Sequence, residues 1–233
     1  MSNGKPSALN YALKYAKGEI VAVFDADNVP EPNALKRAVK YFHDSSVAAV
    51  QGRLCVINAD ENMLTKIVRG VGIEAYLKGK DALGLFVPLK GTCQFVKRNI
   101  LVKLNGFNED VLSEDMGSSA KLTEKDHKIR YASDVYSWQE ASSRIRPFFT
   151  QRTRWYRGAM QVAFKYGRLM TKPNRRNLDA ELTLIGPFIL ITSLVSYFSA
   201  FYVLFTAFNL DALLQFLMQI SAIGTSIMLA LCG

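Results

Sequence analysis

Histidine and cysteine are both scarce in this chain of 233 residues. The two histidines, His43 and His127, are too few to favour a His-based zinc site. The three cysteines, Cys55, Cys93 and Cys232, show no paired spacing and lie in apolar contexts. This pattern argues against a disulfide framework and predicts reduced, structural thiols.

Charge is almost absent from the last fifth of the chain. All 29 Lys and Arg residues precede Leu182, and Asp211 is the only charged residue after it. The uncharged runs from Leu182 to Phe208 and from Ala212 to Leu231 are each long enough for the roughly 20 residues that a helix needs to cross a bilayer. We therefore expect a transmembrane helical hairpin over residues 182–233. The alternative is a pair of helices buried in a soluble core.

The flanking charges predict how such a hairpin is oriented. Lys172, Arg175 and Arg176 lie just before the first apolar run, and the positive-inside bias then places residues 1–181 in the cytoplasm. Met1 to Lys17 lacks the apolar core of a signal peptide. The expected localisation is a multi-pass cell membrane protein with residues 1–181 on the cytoplasmic face.

The formal net charge of +9 raises the question of nucleic acid binding. The basic residues concentrate between Arg144 and Arg176, next to the apolar end of the chain. Anionic lipid headgroups or a pyrophosphate explain such a cluster as well as nucleic acid does. No nucleic-acid reading motif accompanies it, so we expect a lipid bilayer as a partner and no nucleic acid.

Residues 1–145 alternate between helical and strand patterns. Ser7 to Ala16 has helical spacing, and the continuous apolar run Ile20 to Phe24 is typical of a strand buried on both faces of a parallel sheet. Further helices are predicted at Asn33 to Phe42, Met63 to Lys80, Asn99 to Leu104 and Asp115 to Lys125, and strands at Val47 to Gln51, Gln94 to Val96 and Lys128 to Ala132. The fold class is therefore α/β, with a partial parallel or mixed sheet and flanking helices.

Residues 146–181 form a separate basic and aromatic region. After Pro147, the segment Phe148 to Met170 has helical spacing with an apolar and a cationic side. This pattern predicts an amphipathic helix lying in the membrane interface.

Two carboxylates follow the first predicted strand. Asp25 and Asp27 come directly after Ile20 to Phe24, and ligands of α/β sheets bind at the carboxyl ends of strands. Carboxylates at this spacing suit Mg²⁺ or Mn²⁺, which in turn bridges phosphate oxygens. The alternative is a solvated acidic turn before Pro30.

Gln151, Arg154 and Trp155 share one face of the predicted basic helix, since residues three and four apart are neighbours. Arg154 could bind a pyrophosphate through its planar guanidinium, Gln151 could donate a further hydrogen bond, and Trp155 offers a flat surface to a sugar ring. The alternative is that these residue types only anchor the helix among lipid headgroups.

Ser113, Glu114 and Asp115 lie where a loop meets a predicted helix. Asp115 could act as a general base on an acceptor hydroxyl. Helix capping is the competing explanation, and for Ser113 it is the default.

Several short motifs occur in one order along residues 3–170. They are Lys5-Pro6-Ser7-Ala8-Leu9-Asn10, Gly18-Glu19-Ile20-Val21, Asp25-Ala26-Asp27, Gly91-Thr92, Gly106-Phe107, Glu114-Asp115 and Gln151-Arg152-Thr153-Arg154-Trp155. This order resembles the family 2 glycosyltransferases of the processive type, which include cellulose, chitin, hyaluronan and poly-N-acetylglucosamine synthases.

The resemblance implies a GT-A type domain that transfers a sugar, with inversion, from a nucleotide sugar to a glycan acceptor, and the donor that it implies is a UDP-sugar. By the same resemblance, Asp25 and Asp27 hold the metal, and Asp115 is the catalytic base. The substrate-binding residues are then Lys5, Asp25, Gly91, Thr92, Glu114, Gln151, Arg154 and Trp155.

The resemblance also implies that the chain lacks the first strands of such a domain. A second hypothesis follows, in which the chain is a truncated, non-catalytic component or one half of a split enzyme. A separate polypeptide would then supply the missing strands.

Overall fold

The computed structural model describes residues 4–69, 71–167, 174–207, 211 and 213–222. The chain divides into two compact units, Met1–Leu184 and Ile185–Gly233. The first unit contains the predicted α/β domain and the helix with the Gln-Arg-Trp residues, and each unit is described by itself below.

Helices and strands alternate through the first unit, as the sequence patterns predict. The helices are α1 (Lys5–Leu13), α2 (Ala34–Lys40), α3 (Met63–Val68), α4 (Val71–Ala82), α5 (Arg98–Lys103), α6 (Glu114–Glu124), α7 (Ile145–Tyr166) and α8 (Arg175–Ala207), whose last part belongs to the second unit. The strands are β1 (Ile20–Val23), β2 (Val29–Pro30), β3 (Val47–Val56), β4 (Gln94–Lys97) and β5 (Lys128–Gln139). A 3₁₀ turn at Tyr41–His43 extends α2.

The five strands form one mixed sheet in the order β1-β4-β3-β5-β2. β3 and β5 are parallel, whereas the other three pairs are antiparallel. One buried cluster lies on each side of the sheet: residues of α1, α4, α5 and α6 pack on one side, and those of α2 on the other. The predicted α/β layers are confirmed, and the sheet is mixed.

The expectation of a parallel pairing for the first strand is wrong. β1 pairs antiparallel with β4 and lies at the edge of the sheet. Its side chains nevertheless pack on both faces, because Val21 and Val23 join one cluster while Ile20 and Phe24 contact the other. A strand covered on both faces is continuously apolar whichever way its neighbour runs, so the pattern could not decide the direction.

Other boundaries differ from the sequence patterns for local reasons. The single helix predicted from Met63 to Lys80 is two helices, α3 and α4. The strand predicted from Lys128 to Ala132 continues to Gln139, because it follows β3 across a register shift beyond Gly52. That shift is typical of a β-bulge, which one strand's sequence does not reveal.

One side of the amphipathic helix α7 is buried against the rest of the first unit. Phe148, Arg152, Gly158 and Val162 are buried on α7, whereas Phe149 is exposed. Packing within the protein therefore explains part of the amphipathic pattern that predicted a membrane-interface helix.

The predicted hairpin lies only partly within the described residues. Among these, no single helix is long and apolar enough to cross a membrane, and only the bent pair of segments 175–189 and 191–203 reaches that length and apolarity together. Leu213–Ala222 is a shorter apolar helix. In the second unit, the Tyr197 ring stacks on the Phe216 ring with centroids 5.5 Å apart.

A buried ion pair joins α4 to the first turns of α8 within the first unit. The Lys80 Nζ lies 3.0 Å from the Asp179 Oδ2 and donates a 2.8 Å hydrogen bond to Thr183 Oγ1, and Lys80 is only 5% exposed. Asp179 also accepts a hydrogen bond from the Phe86 backbone N–H.

We predict that Asp179→Ala destabilises the protein by about 3 kcal/mol, because it leaves the Lys80 charge buried without its partner. The double variant Lys80→Met/Asp179→Ala should recover part of that loss, since no charge is then buried. Chemical unfolding of the purified chain measures both. Equal stability of Asp179→Ala and the unmodified chain would show that the Lys80–Asp179 ion pair does not stabilise the protein.

Candidate active site

Lys5 connects three parts of the predicted site. Its Nζ lies 2.6 Å from Asp25 Oδ1 and 3.4 Å from Glu114 Oε1, and it donates a 2.8 Å hydrogen bond to the Gly91 carbonyl. Partial burial alone would lower the pKa of Lys5, but the hydrogen bond to Asp25 and the negative charge of Glu114 outweigh burial and raise it. Lys5 is therefore held as a cation between two carboxylates.

Thr92 ties the turn after β1 to the same place. Its Oγ1 accepts a 3.0 Å hydrogen bond from the Asp25 backbone N–H and a 2.8 Å hydrogen bond from Asn28 Nδ2. Thr92 is buried, Asp25 is half-buried and Asp27 is exposed. The acidic turn is thus fixed to the sheet, with one carboxylate directed at Lys5 and the other in solvent.

The Asp115 carboxylate approaches the same face of Gly91 as the Lys5 ammonium. A Cβ added to Gly91 would lie 3.2 Å from Asp115 Oδ2 and 3.3 Å from Lys5 Nζ, and Gly91 has a positive φ of 78°. Both the backbone conformation and the space favour glycine here. The Asp115 carboxylate also accepts a 2.7 Å hydrogen bond from the Met116 backbone N–H.

The surroundings of Asp115 suit a general base. Burial raises the pKa of this carboxyl to about 6, and the neighbouring charge of Glu114 acts in the same direction. The Met116 N–H and the cations Lys5 and Lys90 oppose that rise. A carboxylate whose pKa approaches the working pH accepts a proton more readily than a solvated one.

Lys90 adds a second cation near Asp115. Burial lowers the pKa of Lys90 to about 8, Asp115 opposes the shift, and the positive charges of Arg152 and Lys80 add to it. Lys90 is therefore a second cation close enough to Asp115 for their charges to interact, in a region that also holds Arg152 and Lys80.

Helix α7 runs along the loop that leads into α6. A Cβ added to Gly158 would lie 2.8 Å from Ser113 Cβ and 2.9 Å from Ser113 N, so the two backbones approach closely. The Leu112 N–H donates a 3.0 Å hydrogen bond to Gln161 Oε1 farther along α7. Ser113 makes no side-chain capping hydrogen bond, so packing against α7 replaces the capping role expected from the sequence.

The Gln-Arg-Trp face of α7 differs from the face that is buried. Gln151 and Arg154 are exposed, and Trp155 is 39% exposed. Arg152 is only 8% exposed, and its guanidinium lies 4.4 Å from the Trp155 ring centroid and 5.0 Å from that of Phe148. The structure thus directs Arg152 inward, between two aromatic rings at i−4 and i+3.

The residues present fit a divalent cation only with help from a substrate. Among the described residues, no group of three or more His, Cys, Asp or Glu side chains is arranged to hold a metal. Asp25 and Asp27 provide two carboxylates on one turn. Two carboxylates, completed by phosphate oxygens and water, are the usual protein contribution to a Mg²⁺ site.

The structure brings together Lys5, Asp25, Gly91, Thr92, Glu114 and Asp115, the predicted residues of the first 145 positions apart from exposed Asp27. The sequence analysis gave no role to three residues that the structure places near these groups: Lys90, Arg152, and Gln51, whose side chain accepts a hydrogen bond from the Lys90 N–H. Gln51 had a usable signal, because it is a polar residue next to the apolar run of β3, Val47–Val50. Arg152 had one too, since its spacing from Phe148 and Trp155 places it between two rings on a helix.

The comparisons with known proteins show the family of this chain. The family model described as Glycosyl transferase family group 2 matches residues 20–231. The chain is 30% identical over 190 residues to a probable glycosyltransferase, YdaM, of Bacillus subtilis, covering 77% of this chain and 44% of that protein. It is also 30% identical over 199 residues to the β-monoglucosyldiacylglycerol synthase of Trichormus variabilis, covering 83% of this chain and 42% of that protein.

A solved structure shares the fold. The mannosyltransferase PcManGT from Pyrobaculum calidifontis, solved with GDP-Man and Mn²⁺, matches with a TM-score of 0.59 at 22% identity, covering 97% of this chain and 66% of that one. The fold is therefore GT-A-like. The chain belongs to glycosyl transferase family group 2, and it spans less than half the length of the two relatives described above.

We predict a pH–rate profile that reports Asp115. A base must be deprotonated to act, and the pKa of Asp115 is about 6, so the rate should fall as the pH drops below about 6. Lys90→Met removes a charge that lowers this pKa, and the acid limb should move to higher pH. Steady-state rates between pH 5 and 8, a range of about 3 units around this pKa, measure both. An acid limb at the same pH in both proteins would contradict the attribution of this limb to Asp115.

We predict that Gly158→Ala lowers the transfer rate by about 100-fold. The added Cβ would push α7 away from Ser113 and so displace the α7 side chains relative to Asp115. Gly79→Ala is the matched control, since Gly79 also lies in a helix and a Cβ there meets nothing within 4 Å. Similar rates for the two variants would show that the close approach of α7 is unimportant.

Proposed function

We propose that this chain carries the catalytic site of a metal-dependent, inverting glycosyltransferase that moves a sugar from a nucleotide sugar to a glycan acceptor at the cytoplasmic face of a membrane. The observation that carries the proposal is the convergence around Gly91. Lys5 bridges Asp25, Glu114 and the Gly91 carbonyl, and the Asp115 carboxylate and the Lys5 ammonium both lie next to the position that a Gly91 side chain would occupy.

The roles follow from charge and position. Asp25 and Asp27 would hold Mg²⁺ or Mn²⁺, which would neutralise charge on the departing nucleoside diphosphate. Lys5 stays protonated between carboxylates and offers an N–H to a phosphate oxygen. Asp115 removes the proton from the acceptor hydroxyl as that oxygen attacks the sugar, and burial keeps its pKa high enough for the transfer.

In this proposal, side chains of helix α7 contact the acceptor sugar and the diphosphate. Trp155 offers a partly exposed ring to the acceptor sugar, while the exposed side chains of Arg154 and Gln151 supply cationic and amide donors for the diphosphate. A guanidinium binds phosphate oxygens through two parallel N–H groups, which orients the leaving group as well as stabilising it. Gly91, Thr92 and Glu114 hold Lys5 and the acidic turn in place.

The donor is proposed to be a UDP-sugar, as the resemblance to processive synthases implies. The structural neighbour was solved with GDP-Man and Mn²⁺, which supports a nucleotide-sugar donor and a divalent cation without selecting the base. Because one relative is a β-monoglucosyldiacylglycerol synthase, a lipid-linked acceptor belongs in the assay beside oligosaccharides.

The membrane location rests on the charge distribution. The stretch after Leu182 holds no Lys or Arg, and Asp211 is its only charged residue. Basic residues just before that stretch favour a cytoplasmic position for the first unit. The active site would then use nucleotide sugars from the cytoplasm.

A second candidate is a non-catalytic component of a split enzyme, as proposed from the sequence. Within the described residues, β1 forms one edge of the sheet, and Ala22 on it is exposed. A strand supplied by another polypeptide could pair with this edge by main-chain hydrogen bonds. Nucleotide binding and turnover by the isolated chain would contradict this candidate.

The proposed function is tested with inside-out membrane vesicles, labelled UDP- and GDP-sugars, and either Mn²⁺ or a chelator. We predict metal-dependent transfer, and a loss of about 100- to 10,000-fold in Asp115→Asn, because the amide cannot accept the proton. Transfer at the normal rate in Asp115→Asn, or no transfer from any donor by the unmodified chain, would overturn the proposal.

Trp155→Ala separates the acceptor side of the site from the donor side. We predict that it raises KM for the acceptor while KM for the donor stays unchanged, because the lost ring contacts the acceptor sugar. Phe164→Ala is the matched control, since Phe164 lies on the same helix and is 81% exposed. A rise confined to the donor KM would contradict this placement.

A further inference from the structure

Gln51 is a fully buried amide in the middle of the sheet, and the proposed reaction gives it no role so far. It lies on β3 next to Gly52 and is 0% exposed. Its Oε1 accepts a 2.7 Å hydrogen bond from the Lys90 backbone N–H. Its Nε2 donates to the Gly52 carbonyl at 2.8 Å and to the Thr92 carbonyl at 3.1 Å.

These hydrogen bonds fix a segment whose backbone conformation is uncommon. Residues 89–93, which we call the Gly91 loop, contain two positive φ angles, 78° at Gly91 and 48° at Cys93. A positive φ is uncommon for a residue with a Cβ and persists only where the surroundings fix it. The Gly52 N–H donates a 2.8 Å hydrogen bond to the Cys93 carbonyl and fixes the far end of the loop.

Hydrogen bonds connect the Gly91 loop to several parts of the candidate site. The Gly91 carbonyl accepts from Lys5, and Thr92 Oγ1 accepts from the Asp25 N–H. At the near end, the Leu89 N–H donates to Ser119 Oγ, and the Ser119 hydroxyl donates to the Asp115 carbonyl. Gln51 is the side chain that bonds this loop on both sides of Gly91.

We propose that Gln51 is a positioning residue that sets the distance between the donor side of the site, Lys5 and Asp25, and the candidate base Asp115. It acts through the Gly91 loop and touches no substrate. This inference rests on the proposed function for its kinetic consequence, but the hydrogen bonds it invokes can be measured without any substrate.

A buried amide suits this task better than other side chains of its size. One side must accept from the Lys90 N–H and the other must donate to the Gly52 and Thr92 carbonyls, so the side chain needs both an acceptor and a donor. A carboxylate would accept on both sides and face two carbonyl oxygens, whereas an apolar side chain would leave three backbone groups without their partner.

Three variants of the full chain separate positioning from stability. Gln51→Leu removes both halves of the contact. Gln51→Glu keeps the acceptor for the Lys90 N–H and loses the donor to Thr92. Val50→Ala is the control, because Val50 is the preceding residue of the same strand, is fully buried, and packs in the cluster that contains Cys93 and Phe95.

The kinetic arm compares kcat with KM. We expect Gln51→Leu and Gln51→Glu to lower kcat by about 100-fold with donor KM unchanged, because misplacing the base by about 1 Å affects the reacting geometry more than binding. Val50→Ala should lower stability with little effect on kcat. A fall in kcat no larger than that of Val50→Ala would overturn the proposal.

The substrate-free arm follows amide hydrogen exchange at Lys90. The Lys90 N–H should exchange much faster in Gln51→Leu, remain protected in Gln51→Glu, and stay protected in Val50→Ala. Unchanged protection in Gln51→Leu would overturn the proposal. If the unmodified chain transfers no sugar while Gln51→Leu loses protection at Lys90, the proposed function fails and the fixing of the Gly91 loop by Gln51 stands.

Discussion

The two ion pairs and the hydrogen bond made by the Lys5 ammonium join segments that are far apart in the chain. Asp25 follows the edge strand, Gly91 precedes β4, and Glu114 begins α6. Without this cation, two carboxylates and a carbonyl would face one another in a partly buried place, where repulsion between like charges is only weakly screened. A nucleoside diphosphate brings further negative charge to the same point. The fold therefore holds one cation among these carboxylates at the point where the proposed reaction needs a positive charge, and the candidate base Asp115 approaches the same space next to Gly91.

Burial sets the chemistry around that centre. Asp115 and Lys90 have pKa values near 6 and near 8 because both are withdrawn from water, and each opposes the shift of the other. Pairs of titratable groups whose surroundings move them toward neutral pH are typical of sites that transfer protons. The glycine between Lys5 and Asp115 has no side chain, so both groups can approach the same space. The membership in glycosyl transferase family group 2 and the GT-A-like fold give this arrangement its context.

Much of the fold could be predicted from hydrophobic periodicity. Most of the helix and strand order follows from these patterns, except that the short strand β2 lies where a loop was predicted and that α3 and α4 replace one predicted helix. Strand-end carboxylates and the loop before α6 indicated the candidate site. Strand direction was not recoverable, because β1 is covered on both faces and its apolar run looks the same in a parallel or an antiparallel pair. The sequence also does not show which side of α7 faces the protein, because aromatic residues occur on many turns of this helix. The pattern predicted a binding role for Arg154, whereas Arg152 is the arginine that is buried. The polar side chain of Gln51 next to an apolar run marks it in the sequence, but its contacts to the Gly91 loop could not be predicted, because the Lys90 N–H and the Thr92 carbonyl lie 39 and 41 residues away.

The account depends on Lys5 and the strand-end carboxylates forming a site for a nucleoside diphosphate. The most direct test is calorimetric titration of UDP and GDP, each with Mn²⁺, into the unmodified chain and into Lys5→Met. The account predicts binding to the unmodified chain and a loss of about 10- to 100-fold in Lys5→Met, the size expected for a hydrogen bond to a charged group. Equal affinity in the two proteins would contradict it.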